Sequence, residues 1–349
     1  MKLLVSADLH VSDRVVMGRS RLPVYEKMLY SIIDIAKEHQ CEAIVLAGDV
    51  IDNKNKPPLD VLVLLDQFLS ANTLPLYWLR GNHETPDKEN PSKSIISLFR
   101  DRYGVRVVSD CGSVVYHSSF QEADRIFYFL PWYPAEDFKA EAAKLSKKAV
   151  RFKEKTGKKP ILFTHIGLKE GSTSPSNFHP PSAVTVADLS PEHWAMIVCG
   201  DYHAHQFVAK NVFYTGAPIP HNFGDFNIKG VWVLDTEKLT ARAVPIPGAP
   251  KFIQWDATLQ EKPLWSPEDY VRVYAKPGDI ELIRAAHPEA DVRAKVPEEQ
   301  ITLPTDSRIS LDATASHDVL LSRYLEYKNI EGEEAECLKT IGMEILGSL

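Results

Sequence analysis

The sequence predicts an α/β fold built on a largely parallel sheet that is buried on both faces. Three observations predict it. Short apolar runs recur along the first 205 residues, stretches with a helical spacing of apolar residues separate the early runs, and each run ends in Asp, Asn or His. In sheets of this kind, ligands bind beyond the carboxyl ends of the strands. The polar strand ends therefore predict a functional site at one edge of the sheet.

The predicted strands and helices of this region alternate. The apolar runs that predict strands are "KLLVSADLH", "EAIVLAGDVID", "LPLYWLRGNHE", "KPILFTHIG" and "AMIVCGDYHAH". Helices are predicted from Val24 to His39 and from Leu59 to Leu69, because apolar residues recur there every three to four positions. This alternation is what favours the parallel sheet.

After about residue 205 the pattern changes. The segments "QFVAKNVFYTG" and "GVWVLDTEKLTARAVPI" predict further strands, and "PIPGAP" at residues 245–250 predicts a boundary. Beyond it, "YVRVYAK", "DIELIRAAH" and "ADVRAKV" predict a small β-α-β unit, and residues 316–349 predict two helices. We therefore expect a main domain at residues 1–250, a small α/β cap at 251–312 and a helical tail at 313–349.

Composition and charge limit the class of protein. The chain has 349 residues, and 40 basic against 47 acidic residues give a net charge of −7, which is no electrostatic indication of nucleic-acid binding. The four cysteines form no CxxC pair, which argues against a disulfide framework or a zinc-thiolate site. No stretch resembles a signal peptide or reaches membrane-spanning length. We expect a cytoplasmic protein without a membrane partner.

The polar residues at the strand ends form five groups: Asp8 with His10, Asp49 with Asp52, Asn82 with His83, His165 alone, and His203 with His205. Carboxylate, amide and imidazole ligands suit divalent ions such as manganese, iron or zinc. These are more ligands than one tetrahedral ion uses, so we expect two ions that share a carboxylate. Two ions about 3.5–4 Å apart activate a water and polarise a phosphoryl oxygen, which indicates hydrolysis of a phosphate ester.

The order D-x-H, G-D-x-x-D, G-N-H-E, H and H-x-H resembles the calcineurin-like metallophosphoesterase superfamily over about residues 1–245. Within it, "SADLHVSD", the early position of all motifs and "YTGAPIPHNFGD" are similar to the SbcD nucleases. The resemblance implies a four-layer α/β/β/α sandwich followed by the cap and the helical tail. The chain departs from the family where many relatives read G-H-x-H, because Asp201 and Tyr202 separate Gly200 from His203. The role of Asp201 stays open at this point.

The resemblance also implies roles for the strand-end residues. The first ion would be bound by Asp8, His10, Asp49 and His205, and the second by Asp49, Asn82, His165 and His203, so that Asp49 bridges the two. His83 would contact the scissile phosphate as a general acid. Asp52 would orient a neighbouring histidine or a group on the phosphate side. The implied metal is manganese.

The expected substrate and partners also follow from the resemblance. It implies a DNA nuclease, exonuclease or endonuclease, that cuts at ends or single-stranded segments in repair and recombination. It further implies an SbcC-like ATPase docked on the tail and a homodimer formed through the nuclease domain. Basic residues beside the strand ends are candidates for contacts with DNA phosphates, although solvated loops explain them equally well: Arg14, Arg19, Arg21, Lys54 and Lys56.

Two alternatives stay open. One is a phosphodiesterase for nucleotides or other small esters, which would use the same metal site within a closed pocket. The other is a DNA-binding or scaffold subunit that has a residual metal site and no activity. The presence of every ligand position and of His83 favours an enzyme over the second alternative.

Overall fold

The computed structural model describes most of the chain. The described residues are 1–52, 56–87, 94–100, 102–108, 126–172, 182–225, 229–295, 325 and 338–339. Lys54 and nearly all of the predicted tail lie outside these residues. Leu325, Leu338 and Lys339 are the described positions of the tail, and each has helical backbone.

The strands in chain order are β1 (Lys2–Ser6), β2 (Val15–Val16), β3 (Arg19–Ser20), β4 (Ala43–Leu46), β5 (Leu76–Leu79), β6 (Val105–Val108), β7 (Phe127–Leu130), β8 (Ile161–His165), β9 (Met196–Gly200), β10 (Gln206–Ala209), β11 (Val212–Tyr214), β12 (Val231–Asp235), β13 (Thr240–Val244), β14 (Phe252–Asp256), β15 (Tyr270–Ala275) and β16 (Asp291–Ala294). The α-helices are α1 (Leu22–Glu38), α2 (Leu59–Ala71), α3 (Ala135–Thr156) and α4 (Ile280–Ala286). Short 3₁₀ helices cover Ile95–Phe99, Val186–Leu189, Pro191–His193 and Pro277–Asp279.

Two sheets form the centre of the fold. The first has the strand order β13-β12-β1-β4-β5-β6, and the second has the order β10-β11-β9-β8-β7. In the first sheet, β1, β4, β5 and β6 pair in parallel, and β12 pairs with the other edge of β1 in antiparallel register. In the second, β7, β8, β9 and β11 pair in parallel. The parallel strands of each sheet therefore end at the same edge.

The two sheets pack face to face with helices outside them. Residues from both sheets form one apolar cluster, for example Val5 and Val45 from the first sheet and Phe163 and Val198 from the second. A second cluster packs α1 and α2 against the first sheet, and a third packs α3 against the second. This arrangement confirms the predicted four-layer α/β/β/α sandwich. Both faces of each sheet are covered, which is why the strands read as continuous apolar runs.

Helix α1 shows how sequence produces one of these layers. Pro23 lies in its first turn, where a missing backbone N–H costs nothing. Met28, Leu29, Ile32 and Ile33 lie on one side of the helix and are buried against the first sheet. Each such side chain contributes about 1.5–3 kcal/mol when it is fully buried. The spacing that predicted this helix is therefore also what attaches it to the sheet.

Beyond β13, the chain forms a further sheet in the order β14-β15-β16, followed in sequence by the tail. The chain forms two compact units, one of Met1–Tyr274 and Glu281–Val292 and another of Ala275–Ile280 and Arg293–Leu349. Among the described residues, no helix is both long and apolar enough to cross a bilayer.

Candidate metal centre

The carboxyl ends of five parallel strands meet at one edge of the sandwich. Asp8 and His10 follow β1, Asp49 and Asp52 follow β4, Asn82 and His83 follow β5, His165 ends β8, and Asp201 and His203 follow β9. The loops after β1 and β4 stay paired, since Asp8 N donates to Gly48 O and His10 N donates to Asp49 O, each at 3.0 Å. The fold thus gathers these side chains, as the sequence predicts.

The backbone at this edge is strained. The φ angles of Asp8, His10, Asp49 and Asp201 are 55°, 46°, 52° and 103°, in the left-handed region that residues other than glycine rarely adopt. Such conformations cost about 1–3 kcal/mol each and persist where surrounding contacts enforce them. Four such residues in one cluster indicate that the surrounding contacts offset this conformational cost and hold the four side chains in place.

A first group of ligand atoms surrounds His10. Its Nε2 atom lies 3.1 Å from Nε2 of His203 and 3.9 Å from Oδ2 of Asp49. Asp8, His10 and His203 each offer an atom within 4.8 Å of the others. On its other side, His10 Nδ1 lies 3.1 Å from Oδ1 of Asp52, which fixes the ring with Nε2 directed at the group.

A second group surrounds Asn82. Its amide lies 2.9 Å from Oδ2 of Asp49, 3.0 Å from Nε2 of His165 and 3.2 Å from Oδ1 of Asp201 when the amide nitrogen faces them. His165 Nε2 is also 3.3 Å from Asp49 Oδ2, so Asp49 belongs to both groups. The Nδ1 atom of His165 is 2.7 Å from the carbonyl oxygen of Ala47, and this contact directs Nε2 toward Asp49.

Glycines allow the close approach around His165. Gly48 has φ of 95°, and a Cβ atom there would lie 2.2 Å from Nδ1 of His165. A Cβ on Gly200 would lie 2.4 Å from the carbonyl oxygen of Ala47 and 2.6 Å from the same Nδ1. Neither position can hold a side chain without displacing the imidazole, which explains the glycines that precede Asp49 and Asp201.

Glu84 holds two of the ligand loops together. Its buried carboxylate accepts from backbone N–H groups of Asp49 at 2.9 Å, Val50 at 2.5 Å, Ile51 at 3.1 Å and Gly81 at 2.7 Å. Burial and the charge of Asp49 raise the pKa of Glu84 to about 7, while the backbone donors oppose that rise. The last residue of G-N-H-E therefore has a structural function that the sequence analysis did not assign.

His83 lies beside the first group with one ring nitrogen fixed. Its Nδ1 atom is 2.7 Å from the carbonyl oxygen of Asp52 and 3.3 Å from Oδ1 of the same residue, and its backbone N donates to Asp49 Oδ1 at 2.8 Å. Burial lowers the pKa of His83, but Asp52 and Asp49 outweigh it and raise the pKa to about 9. Asp52 thus contacts both His10 and His83, which is the position expected of an orienting carboxylate.

The H-x-H motif differs from the expectation. His203, assigned from sequence to the second ion, lies with Asp8 and His10, which were assigned to the first. His205, also assigned to the first ion, is exposed, and its ring centre is 5.8 Å from that of Trp232. The reason is that β9 ends at Gly200, so residues 201–205 form a turn and strand alternation does not apply.

Asp201 takes a place in the second group instead. Counted from Gly200, a G-H-x-H motif has its histidines at the next residue and two residues after that, which here are Asp201 and His203. This count from the strand end is the signal that could have found Asp201.

His221 is a further residue at this edge of the sandwich that the sequence analysis did not place in the site. Its buried ring contacts the rings of His10 and His203, and its Nε2 is 3.0 Å from Asp8 O.

The predicted DNA contacts divide into two kinds. Arg14 and Lys56 are exposed, and Arg14 lines the cavity of about 220 Å³ above the cluster, together with His83 and Asn222. Arg21 is a correction to the expectation: it is fully buried, among the rings of Tyr25, Phe252 and Tyr270, and cannot reach a phosphate.

Arg19 also differs from the expectation. Its guanidinium donates to the carbonyl oxygens of Pro267 and Asp269, each at 2.7 Å, and lies 4.2 Å from the ring centre of Tyr270. These contacts engage two of the five N–H donors of the guanidinium and direct it toward the chain around Pro267 and Asp269. Arg19 and Arg21 therefore attach the β2-β3 hairpin to the segment from β14 to β15.

The donor set fits divalent cations. The carboxylates of Asp8, Asp49 and Asp201 converge in a buried space, and burial together with the first two charges raises the pKa of Asp201 to about 6. Burial lowers the pKa of His165, but the charges of Asp49, Asp8 and Asp201 raise it well above its usual range. The site thus draws a proton onto an imidazole to balance clustered negative charge. A divalent cation would balance the same charge, and the ligand types suit manganese, iron or zinc.

Comparisons with known proteins agree with this geometry. The sequence pattern of the calcineurin-like phosphoesterase family matches residues 1–205, more than half of the chain. The chain belongs to the calcineurin-like phosphoesterases. This membership confirms the resemblance predicted from the motifs.

Individual relatives of this calcineurin-like phosphoesterase are similar at modest identity. The SbcD subunit of the nuclease SbcCD from Bacillus subtilis is 25% identical over 74% of this chain and 72% of its own. The probable exonuclease subunit 1 of Escherichia phage T5 is 23% identical over 95% of this chain and 93% of its own. Among solved structures, a dimetal phosphatase from Danio rerio aligns with 61% of this chain and 85% of its own, at 13% identity and a TM-score of 0.40.

The family and these relatives confirm the predicted enzyme class, a metal-dependent phosphodiester hydrolase. The groups around His10 and Asn82, which share Asp49, are candidate ligand clusters for the divalent metals that this family uses.

Proposed function

We propose that this phosphoesterase is a manganese-dependent DNA nuclease with two metal ions, acting at DNA ends or single-stranded segments. The observation that carries the proposal is the pair of ligand groups that share Asp49 beside His83. The names of the relatives support a nucleic-acid substrate, since one is a nuclease subunit and the other a probable exonuclease subunit.

The ligand groups suggest how the ions would be held. The first would be bound by Asp8, His10, Asp49 and His203, and the second by Asp49, Asn82 and His165. When bound, the two cations would supply an activated water and polarise the phosphoryl oxygens. Because Asp49 contacts both groups, its carboxylate would set their separation. Asp52 would keep Nε2 of His10 directed at the first ion.

His83 would handle the proton of the leaving group. Its Nδ1 atom faces Asp52, which leaves Nε2 for the substrate side, and His83 lines the cavity above the cluster. In the metal-free chain, Asp52 and Asp49 raise the pKa of His83 to about 9, which favours the protonated ring at neutral pH. It can therefore protonate the departing oxygen of a phosphodiester. Exposed Arg14 at the same cavity would contact a backbone phosphate without reading sequence.

The partners expected from the resemblance are part of this proposal. We propose an SbcC-like ATPase as the partner, with a role in DNA repair and recombination, and a cytoplasmic location. One of the relatives is named as a subunit of an SbcCD nuclease. We propose the same boundaries as the sequence predicts, with the cap at residues 251–312 and the tail that would dock the ATPase at residues 313–349.

An exposed apolar surface supports a homodimer through the nuclease domain. Leu59 and Val63 of α2 lie one helical turn apart and are 74% and 45% exposed. Tyr103, 47% exposed, lies beside them, since its hydroxyl is 3.5 Å from Asp66 of the same helix. An apolar strip of this kind on one helix face is a usual site of association. We call the surface of Leu59, Val63 and Tyr103 the α2 strip.

A degradation assay tests the proposed substrate. The full chain, loaded with Mn²⁺, is incubated with linear plasmid, with single-stranded oligonucleotides and with a chromogenic phosphodiester. We expect cleavage of both DNA substrates, its loss with a chelator, and a strong reduction in His83→Gln but not in the control His193→Gln, a histidine on the surface away from the cluster. Activity on the chromogenic ester alone would favour the small-ester phosphodiesterase and refute the nuclease.

A further inference from the structure

Asp201 occupies a position from which its carboxylate faces the second ligand group. Its Oδ1 atom lies 3.8 Å from Nε2 of His165 and 3.2 Å from the amide of Asn82. Its other oxygen faces Gly167, where a Cβ atom would lie only 2.7 Å from it. The carboxylate thus faces the second ligand group with one oxygen, and the missing side chain of Gly167 leaves room for the other.

Three electron-pair donors converge beside Asn82. They are Asp49 Oδ2, His165 Nε2 and Asp201 Oδ1, and all lie within 3.2 Å of one atom of the Asn82 amide. An amide NH₂ group has only two donors, so it cannot satisfy all three of these atoms at once. A cation requires the same convergence, with the amide turned so that its oxygen becomes a further ligand. Asp201 lies about as close to the Asn82 amide as His165 does, at 3.2 Å against 3.0 Å.

Neighbouring contacts fix the backbone of Asp201 in its strained conformation. Its N–H donates to the carboxylate of Asp8 at 3.0 Å, although its φ is 103°. The next residue, Tyr202, is buried, stacks on Tyr214 with ring centres 4.7 Å apart, and donates its hydroxyl to Leu168 O at 3.0 Å. The chain is therefore anchored immediately after Asp201.

The residue on the far side of this anchor is held as well. The carbonyl oxygen of His203 accepts from Ala217 N at 3.1 Å and from Lys229 Nζ at 2.7 Å. The turn is thus fixed at Tyr202 and at His203, so the carboxylate of Asp201 and the imidazole of His203 cannot exchange places.

We propose that Asp201 is the fourth ligand of the second metal ion, and that this site selects an oxygen-preferring cation such as Mn²⁺ over Zn²⁺. The inference rests on the proposed two-metal function. The second site would then offer oxygens from Asp49, Asn82 and Asp201 and a single nitrogen, from His165. Carboxylate and carbonyl oxygens suit manganese and magnesium, whereas imidazole suits zinc.

The first site differs in its donors. It has two imidazoles, those of His10 and His203, with the carboxylates of Asp8 and Asp49. Replacing a histidine of the G-H-x-H pattern by Asp201 therefore changes only the second site. It exchanges a neutral nitrogen for a charged oxygen, and the two ions are held by chemically different sets.

Metal binding, measured without substrate, tests the proposal. The full chain is stripped with a chelator and titrated with Mn²⁺, and free Mn²⁺ is counted from its electron paramagnetic resonance signal. We expect two ions for the wild type. Asp201→Asn should weaken one of the two binding steps by at least about tenfold. Removal of a residue that only contacts a metal ligand already lowers metal affinity by about 10–100-fold, so loss of a ligand should lower it at least as much. The matched control is His205→Gln, the exposed histidine, which should bind two ions as the wild type does.

A second variant covers the case in which Asp201→Asn fails to fold. Asp201→His supplies the nitrogen that many relatives have at this position and should still bind two ions. In competition titrations, we expect its preference for Mn²⁺ over Zn²⁺ at one site to fall by about tenfold or more relative to the wild type.

The outcomes separate this inference from the proposal beneath it. If Asp201→Asn bound two ions with the affinity of the wild type, Asp201 would not be a metal ligand. Loss of one ion in His205→Gln would also overturn the assignment of Asp201. Neither result would refute the two-metal function. An unchanged Mn²⁺ to Zn²⁺ preference in Asp201→His would overturn the selectivity. Fewer than two ions bound by the wild type would instead refute the two-metal function, and this inference with it.

Discussion

The Nε2 atoms of His10 and His203 lie 3.1 Å apart and face each other. Each Nε2 carries a lone pair when the proton of the neutral imidazole is on Nδ1, and a proton or a metal ion between the two atoms then stabilises the contact. Both rings are placed by other residues, His10 by Asp52 and His203 by the turn after β9. Because His203 makes this contact and His205 does not, variants of the two histidines should differ in metal binding.

The first prediction concerns these two histidines. His203→Ala should lose one bound Mn²⁺ and most of the nuclease activity, because a nitrogen ligand of the first group is removed. His205→Ala should keep both ions and an activity within about threefold of the wild type, since its side chain is exposed on Trp232. Mn²⁺ stoichiometry by elemental analysis, beside a DNA cleavage assay, measures both. A greater loss in His205→Ala would restore the assignment made from sequence.

The second prediction concerns the carboxylate that both groups share. Asp49→Ala should lose both ions, since Asp49 Oδ2 is 3.9 Å from His10 Nε2 and 3.3 Å from His165 Nε2. His203→Ala is the comparison, because His203 lies with Asp8 and His10 and not with Asp49 and His165, and it should release one ion only. Near-normal metal content in Asp49→Ala would count against a bridging carboxylate.

The third prediction concerns Glu84. Glu84→Gln keeps the shape of the side chain but replaces one acceptor oxygen by an NH₂ group, which would face backbone N–H donors. Four such donors point at this side chain, so at least one loses its acceptor, at a cost of about 1–3 kcal/mol. Urea unfolding of the metal-free chain measures the change. The exposed Glu192→Gln is the control and should be within about 0.5 kcal/mol of the wild type.

The fourth prediction concerns pH. In the metal-free chain, the pKa of His83 is raised from 6.5 to about 9, so the folded state binds this proton more tightly than the unfolded state does. The resulting stabilisation is complete below about pH 6.5 and is lost as the pH rises to about 9; it amounts to at most about 3 kcal/mol.

Removal of His83 should therefore flatten part of the pH profile. In His83→Gln, the free energy of unfolding should vary less between pH 6.5 and 9 than in the wild type, with both measured by urea unfolding in the presence of a chelator. His193→Gln should follow the wild-type profile. Parallel profiles for His83→Gln and the wild type would show that Asp52 and Asp49 do not hold the proton.

The fifth prediction concerns the α2 strip. Val63→Asp places a charge in the middle of this apolar surface, so a dimer formed through it should dissociate to monomers. Light scattering after size-exclusion chromatography measures the mass. Leu282→Asp is the control, because Leu282 is also an exposed apolar residue of a helix, 74% against 45% for Val63, and lies on α4 outside the strip. A dimer that survives Val63→Asp would place its interface elsewhere.

The sequence was sufficient for the layers of the fold and for the edge that carries the site. Apolar runs such as residues 43–47 are buried on both faces, and each leads directly into its ligands. It was not sufficient for the end of β9, because the run of apolar residues and the histidines that follow look like one continuous strand. The backbone turns at Asp201 instead, with φ of 103°, and this reversal has no signal in hydrophobic spacing.

The position of Arg21 was equally hidden. The two residues before it, Arg19 and Ser20, are polar, which is typical of a solvated loop, whereas in the structure Arg21 is fully buried and donates to Pro220 O at 2.8 Å. The rings of Phe252 and Tyr270 that enclose it come from a distant part of the chain. Only the tertiary fold brings them together, so no local pattern predicts the burial.

The pairing of β12 with β1 has a consequence for the order in which the enzyme is completed during translation. Every ligand proposed for the metals precedes residue 206, but β1 gains its second neighbour only when residues 231–235 have been made, and Arg21 gains its aromatic enclosure only with Phe252 and Tyr270. A nascent chain that has just exposed His203 would hold all its ligands on an incomplete sheet. The edge that holds the ligands is therefore completed only after later residues have been synthesised, although those residues supply no ligand.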